Sequence, residues 1–288
     1  MQQAERTALV ALPVVVVMGA GLAWAGSLGG SSAFGLPVFA LTVGLAFATQ
    51  WLAFVPAYAL RTERFYDLVG GITYVSVVLL AVLASPTVDA RAILLGLLVI
   101  IWAVRLSTFL FRRIHRAGKD GRFDELKTSF SRFLLAWTLQ GLWVAFTASA
   151  ALVAITTSEK KSLDAFALAG TAVWIAGFAI EAAADAQKRR FQLDSANRGR
   201  FIRTGLWARS RHPNYFGEIV LWIGVAVIAL PVLRGWQLVA LASPLFVTLL
   251  LTRVSGIPLL EQRADEKWGG QDDYEDYKKE TPVLIPRV

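Results

Sequence analysis

Apolar residues in this chain fall into long unbroken tracts separated by short polar stretches, without the strict alternation that marks a half-buried strand. A bilayer core demands about 20 apolar residues per helix, because each residue rises about 1.5 Å and no backbone polar group can go unpaired in lipid. Measured against that length, the tracts predict eight spans, at approximately 8–26, 36–60, 65–84, 92–111, 131–156, 165–185, 214–232 and 236–254. Two joints are the least sharply marked: the Arg61-Thr62-Glu63-Arg64 turn, which joins two spans or kinks one, and the turn from Pro231 to Trp236. The apolar run at 9–24 has the outline of a signal peptide, but the number of spans behind it makes it a retained first span. The expected fold class is therefore all-α, a polytopic membrane helix bundle.

Composition supports this reading and removes its rivals. With 56% hydrophobic residues, 17% charged residues and a mean hydropathy of +0.53, the chain is too apolar for a soluble α/β enzyme, a disordered chain or a coiled coil. It is also basic, with 29 Lys and Arg against 21 Asp and Glu. If both termini share one side, that side collects Arg6, Arg61, Arg64 and every Lys and Arg within 112–132, 188–211 and 253–287, which is 24 of the 29. Only Arg91, Lys160, Lys161 and Arg234 fall opposite, and Arg105 lies inside a span. By the positive-inside rule the termini and long loops are cytoplasmic, as in a bacterial cytoplasmic membrane. The absence of cysteine and the presence of only two histidines, His115 and His212, argue against a disulfide scaffold, a thiolate nucleophile or a metal site.

Candidate chemistry gathers on the basic side. Glu181 and Asp185 are four residues apart on the sixth span, so both carboxylates share one face. An acid at that depth costs about 2.5–3.5 kcal/mol on insertion scales, which favours a site facing the bundle interior; the plainer alternative is that Asp185 ends the span among headgroups. At His212-Pro213-Asn214-Tyr215 the proline suits the first turn of a helix, whose free amides and positive dipole end follow directly on Arg209 and Arg211. With Lys188, Arg189, Arg190, Arg198, Arg200 and Arg203 nearby, this charge suits a ligand with several phosphates or, equally, anionic lipid heads. Asn214 and Glu218, four apart on one helix face, shift the balance towards a cofactor: headgroup binding gives no reason for a carboxylate inside the span, and an amide beside a carboxylate suits a carboxamide-bearing ring. Arg105 either pairs with one of these acids or a ligand phosphate, or snorkels to the interface. Gln50 and Gln140 are polar singletons that can equally serve as helix–helix hydrogen bonds. No Gly-x-Gly-x-x-Gly, Gly-x-Ser-x-Gly or phosphate-loop motif is present, and nucleic acid is an improbable partner for short loops facing a membrane.

The run Gly205-Leu-Trp-x-x-Ser-Arg-His212-Pro-Asn214-Tyr-x-Gly217-Glu218, preceded by Glu181-x-x-x-Asp185 and followed by Lys267-Trp-Gly, Tyr274-x-x-Tyr277 and Ile285-Pro286, resembles the steroid 5-alpha-reductase-like membrane family, in particular its bacterial branch. Sterol reductases and isoprenylcysteine carboxyl methyltransferases share a related C-terminal half. The resemblance is specific over about 181–286 and fades before residue 60. The chain has no internal repeat, low-complexity tract or Pro-, Gly- or Ser-rich linker, so a single integral membrane domain over 1–288 is expected; within it the resemblance implies substrate-side helices in 1–130 and a cofactor-binding half in 131–288, holding NADPH in the reductases and S-adenosylmethionine in the methyltransferases. Asn214 and Glu218 match positions that hold the nicotinamide end, Asp185 an acidic cofactor contact, and Arg200 and Arg105 arginines on the phosphates. Glu181 stands where steroid reductases carry an amide. Lys188, Arg211, His212 and Tyr215 complete the cofactor-binding set. The catalytic end departs from the family: the early Gln-Glu pair reads Gln50-Trp51, and the position of the later tyrosine falls on Trp102. Gln50, Trp102 and Tyr58 are the catalytic candidates, with Tyr66, Tyr74 and Asp67 as substitutes.

The expectation is an NADPH-dependent reductase acting on an activated C=C bond of a steroid-like or other lipid substrate. Its rivals are an S-adenosylmethionine-dependent lipid or isoprenoid methyltransferase and a non-catalytic lipid-binding membrane protein.

Overall fold

The computed structural model describes residues 2–118 and 120–287; Lys119, one of the basic-side cations, lies outside them. Its helices follow the apolar tracts closely: α1 (Gln2–Ser27), α2 (Val38–Ala59), α3 (Tyr66–Ala84), α4 (Ala90–Ala117), α5 (Phe130–Thr156), α6 (Ala165–Leu193) and α7 (Pro213–Ala229). Eight helical stretches are long and apolar enough to span a bilayer, so the chain is an all-α polytopic membrane protein. Among the described residues, strand is confined to a short hairpin between α1 and α2, β1 (Ser32–Ala33) with β2 (Leu36–Pro37), turned by Phe34 and Gly35, both at positive φ. That is the geometry of a tight primed hairpin turn.

Four elements differ from the sequence reading, the first being α1, which starts at Gln2 rather than at residue 8. The helix α4 runs on to Ala117 and α6 to Leu193, because Arg112, Arg113, Lys188 and Arg190 are good helix formers that continue the hydrogen-bond ladder beyond the apolar tract. Asp185 is thereby two turns inside α6 rather than at its end. The eighth span is not one regular helix. It consists of a 3-10 segment (Gly235–Ala242), the short α8 (Ser243–Leu249) and a π-helical turn (Leu250–Val254), followed by α9 (Ile257–Trp268) and α10 (Asp272–Glu280).

The chain divides into two compact units. The first comprises residues 1–167 and 228–243. Its axis is α5, which packs against α1, α2, α3 and α4 and has 78% of its apolar window buried, against 28% for α1. Small buried residues along 147–156 admit this crowding. One end is stapled by Arg91, one of the four cations counted on the sparsely charged side, which is only 1% exposed. Its guanidinium pairs with Asp164 at 2.9 Å and donates to the carbonyls of Ile228 (2.6 Å) and Ser162 (2.9 Å). At the other end Glu63, from the short turn between α2 and α3, is buried and accepts from the Asp120 amide and the Lys127 ammonium, each at 2.9 Å.

The second unit comprises residues 168–227 and 244–288. Here α6 and α7 lie backbone to backbone through Gly170 and Gly177 on one helix and Gly217 and Gly224 on the other. A Cβ added to Gly217 would stand 2.6 Å from both the Glu181 nitrogen and the Gly177 carbonyl; one added to Gly224 would stand 2.6 Å from the Gly170 carbonyl. The two glycines of each helix are seven residues apart, two turns, so they face the partner helix together.

Candidate functional site

The glycine seam sets the register of the polar residues. With Gly217 against Gly177 and Glu181 in an antiparallel pair, Asp185 comes opposite Asn214, whose amide nitrogen donates to its carboxylate at 3.3 Å. Glu181 (2% exposed), Asp185 (5%) and Glu218 (7%) are all buried, so the floor of this region is acidic. Asn214 and Tyr215 are half-buried.

His212 precedes α7 and is buried. A third helix, α9, brings Glu261 to it: one carboxylate oxygen meets His212 Nε2 at 2.7 Å and the other meets Arg211 Nη1 at 2.6 Å. The imidazole lies nearly parallel to the Tyr215 ring, with centroids 5.7 Å apart. Burial pulls the His212 pKa below its ordinary value, outweighing Glu261, which favours the charged ring; Lys188 and Arg211 push the same way as burial. The neutral imidazole therefore donates from Nε2–H to the carboxylate and leaves Nδ1 as an acceptor.

The surrounding loops fix this arrangement. Trp207 Nε1 donates to the Ala184 carbonyl at 3.0 Å, the Leu206 amide donates to Gln187 at 2.9 Å, and the Lys188 ammonium rests 4.6 Å from the centre of the Trp207 ring. The C-terminal segment closes over residues 209–211, with Arg211 N donating to Pro282 O and Ser210 Oγ to Leu284 O. Phe201 packs among Trp268, Tyr274 and Tyr277. The basic residues form a rim rather than a floor: Arg189, Arg190, Arg198, Arg200 and Arg203 are exposed.

The structure thus brings Glu181, Asp185, Lys188, Arg211, His212, Asn214, Tyr215 and Glu218 into one unit, with Arg200 on its exposed loop. Arg105 belongs to the first unit, half-buried on α4, with its guanidinium 5.9 Å from the Phe109 ring centre. The catalytic candidates also lie in the first unit. Gln50 is fully buried and donates to Thr73 Oγ1 at 2.7 Å, while Trp102 stands edge-on to Tyr74 at 5.0 Å, so both are anchored on consecutive residues of α3. Tyr58 sits two turns further along α2 in an aromatic cluster with Phe54 and Phe130, with Arg61 4.4 Å over its ring. A surface groove of about 620 Å³ lined by Gln3, Thr7, Leu126, Arg132 and Leu135 includes none of these candidates.

Glu261 was not foreseen from sequence. Its signal is the spacing Glu261-x-x-x-Asp265 on a charged helix, the same four-residue carboxylate spacing as Glu181 and Asp185. Asp265 in turn accepts from the Tyr274 hydroxyl (3.0 Å) and the Lys278 ammonium (2.6 Å), fastening α9 to α10.

Comparison with known proteins agrees with the sequence resemblance. A family model described as "Protein of unknown function (DUF1295)" matches residues 53–281. The 3-oxo-5-alpha-steroid 4-dehydrogenase 1 of Rattus norvegicus is 31% identical over 122 residues, 42% of this chain and 41% of that protein. The protein of the same name from Mus musculus is 31% identical over 120 residues, 41% of each chain. The matches thus span about two fifths of the length of these relatives. No solved structure matches the chain.

Proposed function

The chain belongs to the DUF1295 family, the steroid 5-alpha-reductase-like family, and on that premise we propose that it is an NADPH-dependent reductase embedded in the membrane, acting on an activated C=C bond of a steroid-like or other lipid substrate. The observation that carries the reading is the pairing of Asn214 with Asp185 across the glycine seam, beside buried Glu218. Acids are expensive in a span, and three of them packed where two helices touch point to a ligand with hydrogen-bond donors, such as a carboxamide and ribose hydroxyls. The donor set fits the cofactor in its two parts: acceptors line the buried floor, and exposed Arg200 and its neighbours on the rim suit phosphates. When bound, NADPH supplies the hydride.

In this reading Asn214 and Glu218 hold the carboxamide end, Asp185 orients Asn214, and Lys188 and Arg200 meet phosphates. Glu261 fixes Arg211 and the His212 tautomer. Gln50, Trp102 and Tyr58 belong to the substrate side, with Tyr74, edge-on to Trp102, as a phenol beside the position of the family tyrosine. Both termini face the cytoplasm, and the substrate enters from the bilayer.

The acidic floor gives a second reading some support, because the sulfonium of S-adenosylmethionine is a cation and needs no phosphate site. A thermal-shift comparison in detergent separates the two. NADPH is expected to raise the melting temperature and S-adenosylmethionine to leave it unchanged; the reverse result replaces the reductase with a methyltransferase. Stabilisation by anionic lipid alone, with neither cofactor effective, would leave only a lipid-binding protein.

A further inference from the structure

Two buried amide oxygens in the first unit accept no hydrogen bond from any described residue: Gln50 Oε1 on α2 and Gln140 Oε1 on α5. Their orientation is chemically forced. Thr73 spends its hydroxyl proton on the Val69 carbonyl (2.7 Å), so its oxygen can only accept, and the group of Gln50 facing it at 2.7 Å must be the NH₂. The NH₂ of Gln140 is fixed in the same way, because it faces the Tyr66 carbonyl at 3.2 Å. Both amides are therefore moored by their donors to one stripe of α3, formed by Tyr66, Gly70 and Thr73 at helical spacing. Gly70 is part of the mooring, since a Cβ there would stand 2.5 Å from Gln140 Nε2.

The oxygens lie nine residues from the end of α2 and ten from the start of α5, about 14 Å into the bundle at 1.5 Å per residue. At that depth a bare carbonyl loses its hydration without return, and natural interiors rarely leave such an atom unpaired. Gln50 is wholly buried, so the surface does not supply its partner.

We propose that Gln50 and Gln140 form an acceptor-only recognition site for the hydroxyl group of an otherwise apolar lipid, such as a sterol or a prenyl alcohol. The site recognises a donor and refuses a ketone, because each amide presents only its carbonyl oxygen, with its NH₂ already engaged on α3. It rests on the reductase reading only in identifying that lipid alcohol with the substrate, with the hydroxyl as an anchor rather than the reacting group.

The test is equilibrium binding to the detergent-purified protein without cofactor. Energy transfer from tryptophan reports dehydroergosterol and its 3-ketone, and competition against dehydroergosterol reports geranylgeraniol and its aldehyde. At least one alcohol is expected to bind about tenfold more tightly than its carbonyl partner. Gln50→Leu and Gln140→Leu should each bring that ratio close to one. Thr73→Val, which releases the Gln50 amide to turn its NH₂ inward, should raise affinity for the carbonyl form. The proposal is overturned if the carbonyl compounds bind as tightly as the alcohols, if the preference survives both glutamine substitutions, or if neither alcohol binds. An overturning result would assign the amides to helix packing or internal water and would leave NADPH binding by the second unit untouched.

Discussion

At the scale of single residues, the most consequential group is Glu261, whose carboxylate divides its two oxygens between Arg211 and His212. Because burial lowers the His212 pKa, the folded protein resists the proton that the unfolded chain takes up near pH 6.5. The His212 contribution to stability is therefore fully present above that pH and is lost as the pH falls through 6.5 towards the lower folded-state value. A melting-temperature profile between pH 7.5 and 5 should fall on the acid side, and His212→Gln should flatten that fall. An equally steep profile in the variant would remove His212 as its source. Little of this could be read from sequence: His212 stood out through its motif, but its partner lies 49 residues away on a helix whose docking no local pattern encodes. The role of Arg91 is hidden in the sequence for a related reason. A lone arginine at a span end resembles a loop cation until Asp164 and the ends of two other segments close around it.

At the scale of elements, the spans were largely legible because lipid imposes a single length on all of them. The sequence pattern failed where apolar content alone does not choose the helix type. Residues 235–254 are apolar enough to span, yet they divide into 3-10, α and π segments, with Gly235, at positive φ, opening the first and Pro244 in the first turn of the second. The seam between α6 and α7 was hidden differently, because four glycines at seven-residue spacing are inconspicuous among the 23 in the chain. Their role is testable. Gly217→Ala places a methyl 2.6 Å from the Glu181 nitrogen, an overpacking expected to cost about 1–3 kcal/mol and to pull Asn214 from Asp185. Gly21→Ala, with open space around its Cβ, is the control and should be nearly neutral. Equal melting temperatures for the two variants would contradict the seam.

At the scale of the whole molecule, charge and apolarity are one design. The apolar tracts are long enough to span the membrane, and with both termini on one side, as the positive-inside rule predicts, 24 of the 29 Lys and Arg fall on that side. The natural absence of cysteine makes the orientation directly measurable. A membrane-impermeant maleimide should label Phe34→Cys, 92% exposed at the hairpin tip, on intact cells, and Asp276→Cys only after lysis. The opposite pattern would invert the topology. What no composition could supply is the division of the second unit into an acidic floor and a basic rim, since that depends on which face of each helix is buried.

The central claim, that this second unit holds NADPH, is tested most directly by titrating NADPH into the detergent-purified protein. The account predicts saturable binding that weakens about tenfold or more in Glu218→Gln and falls further with ionic strength as the arginine rim is screened. No saturable binding by the wild type, or binding that Glu218→Gln leaves unchanged, would contradict it.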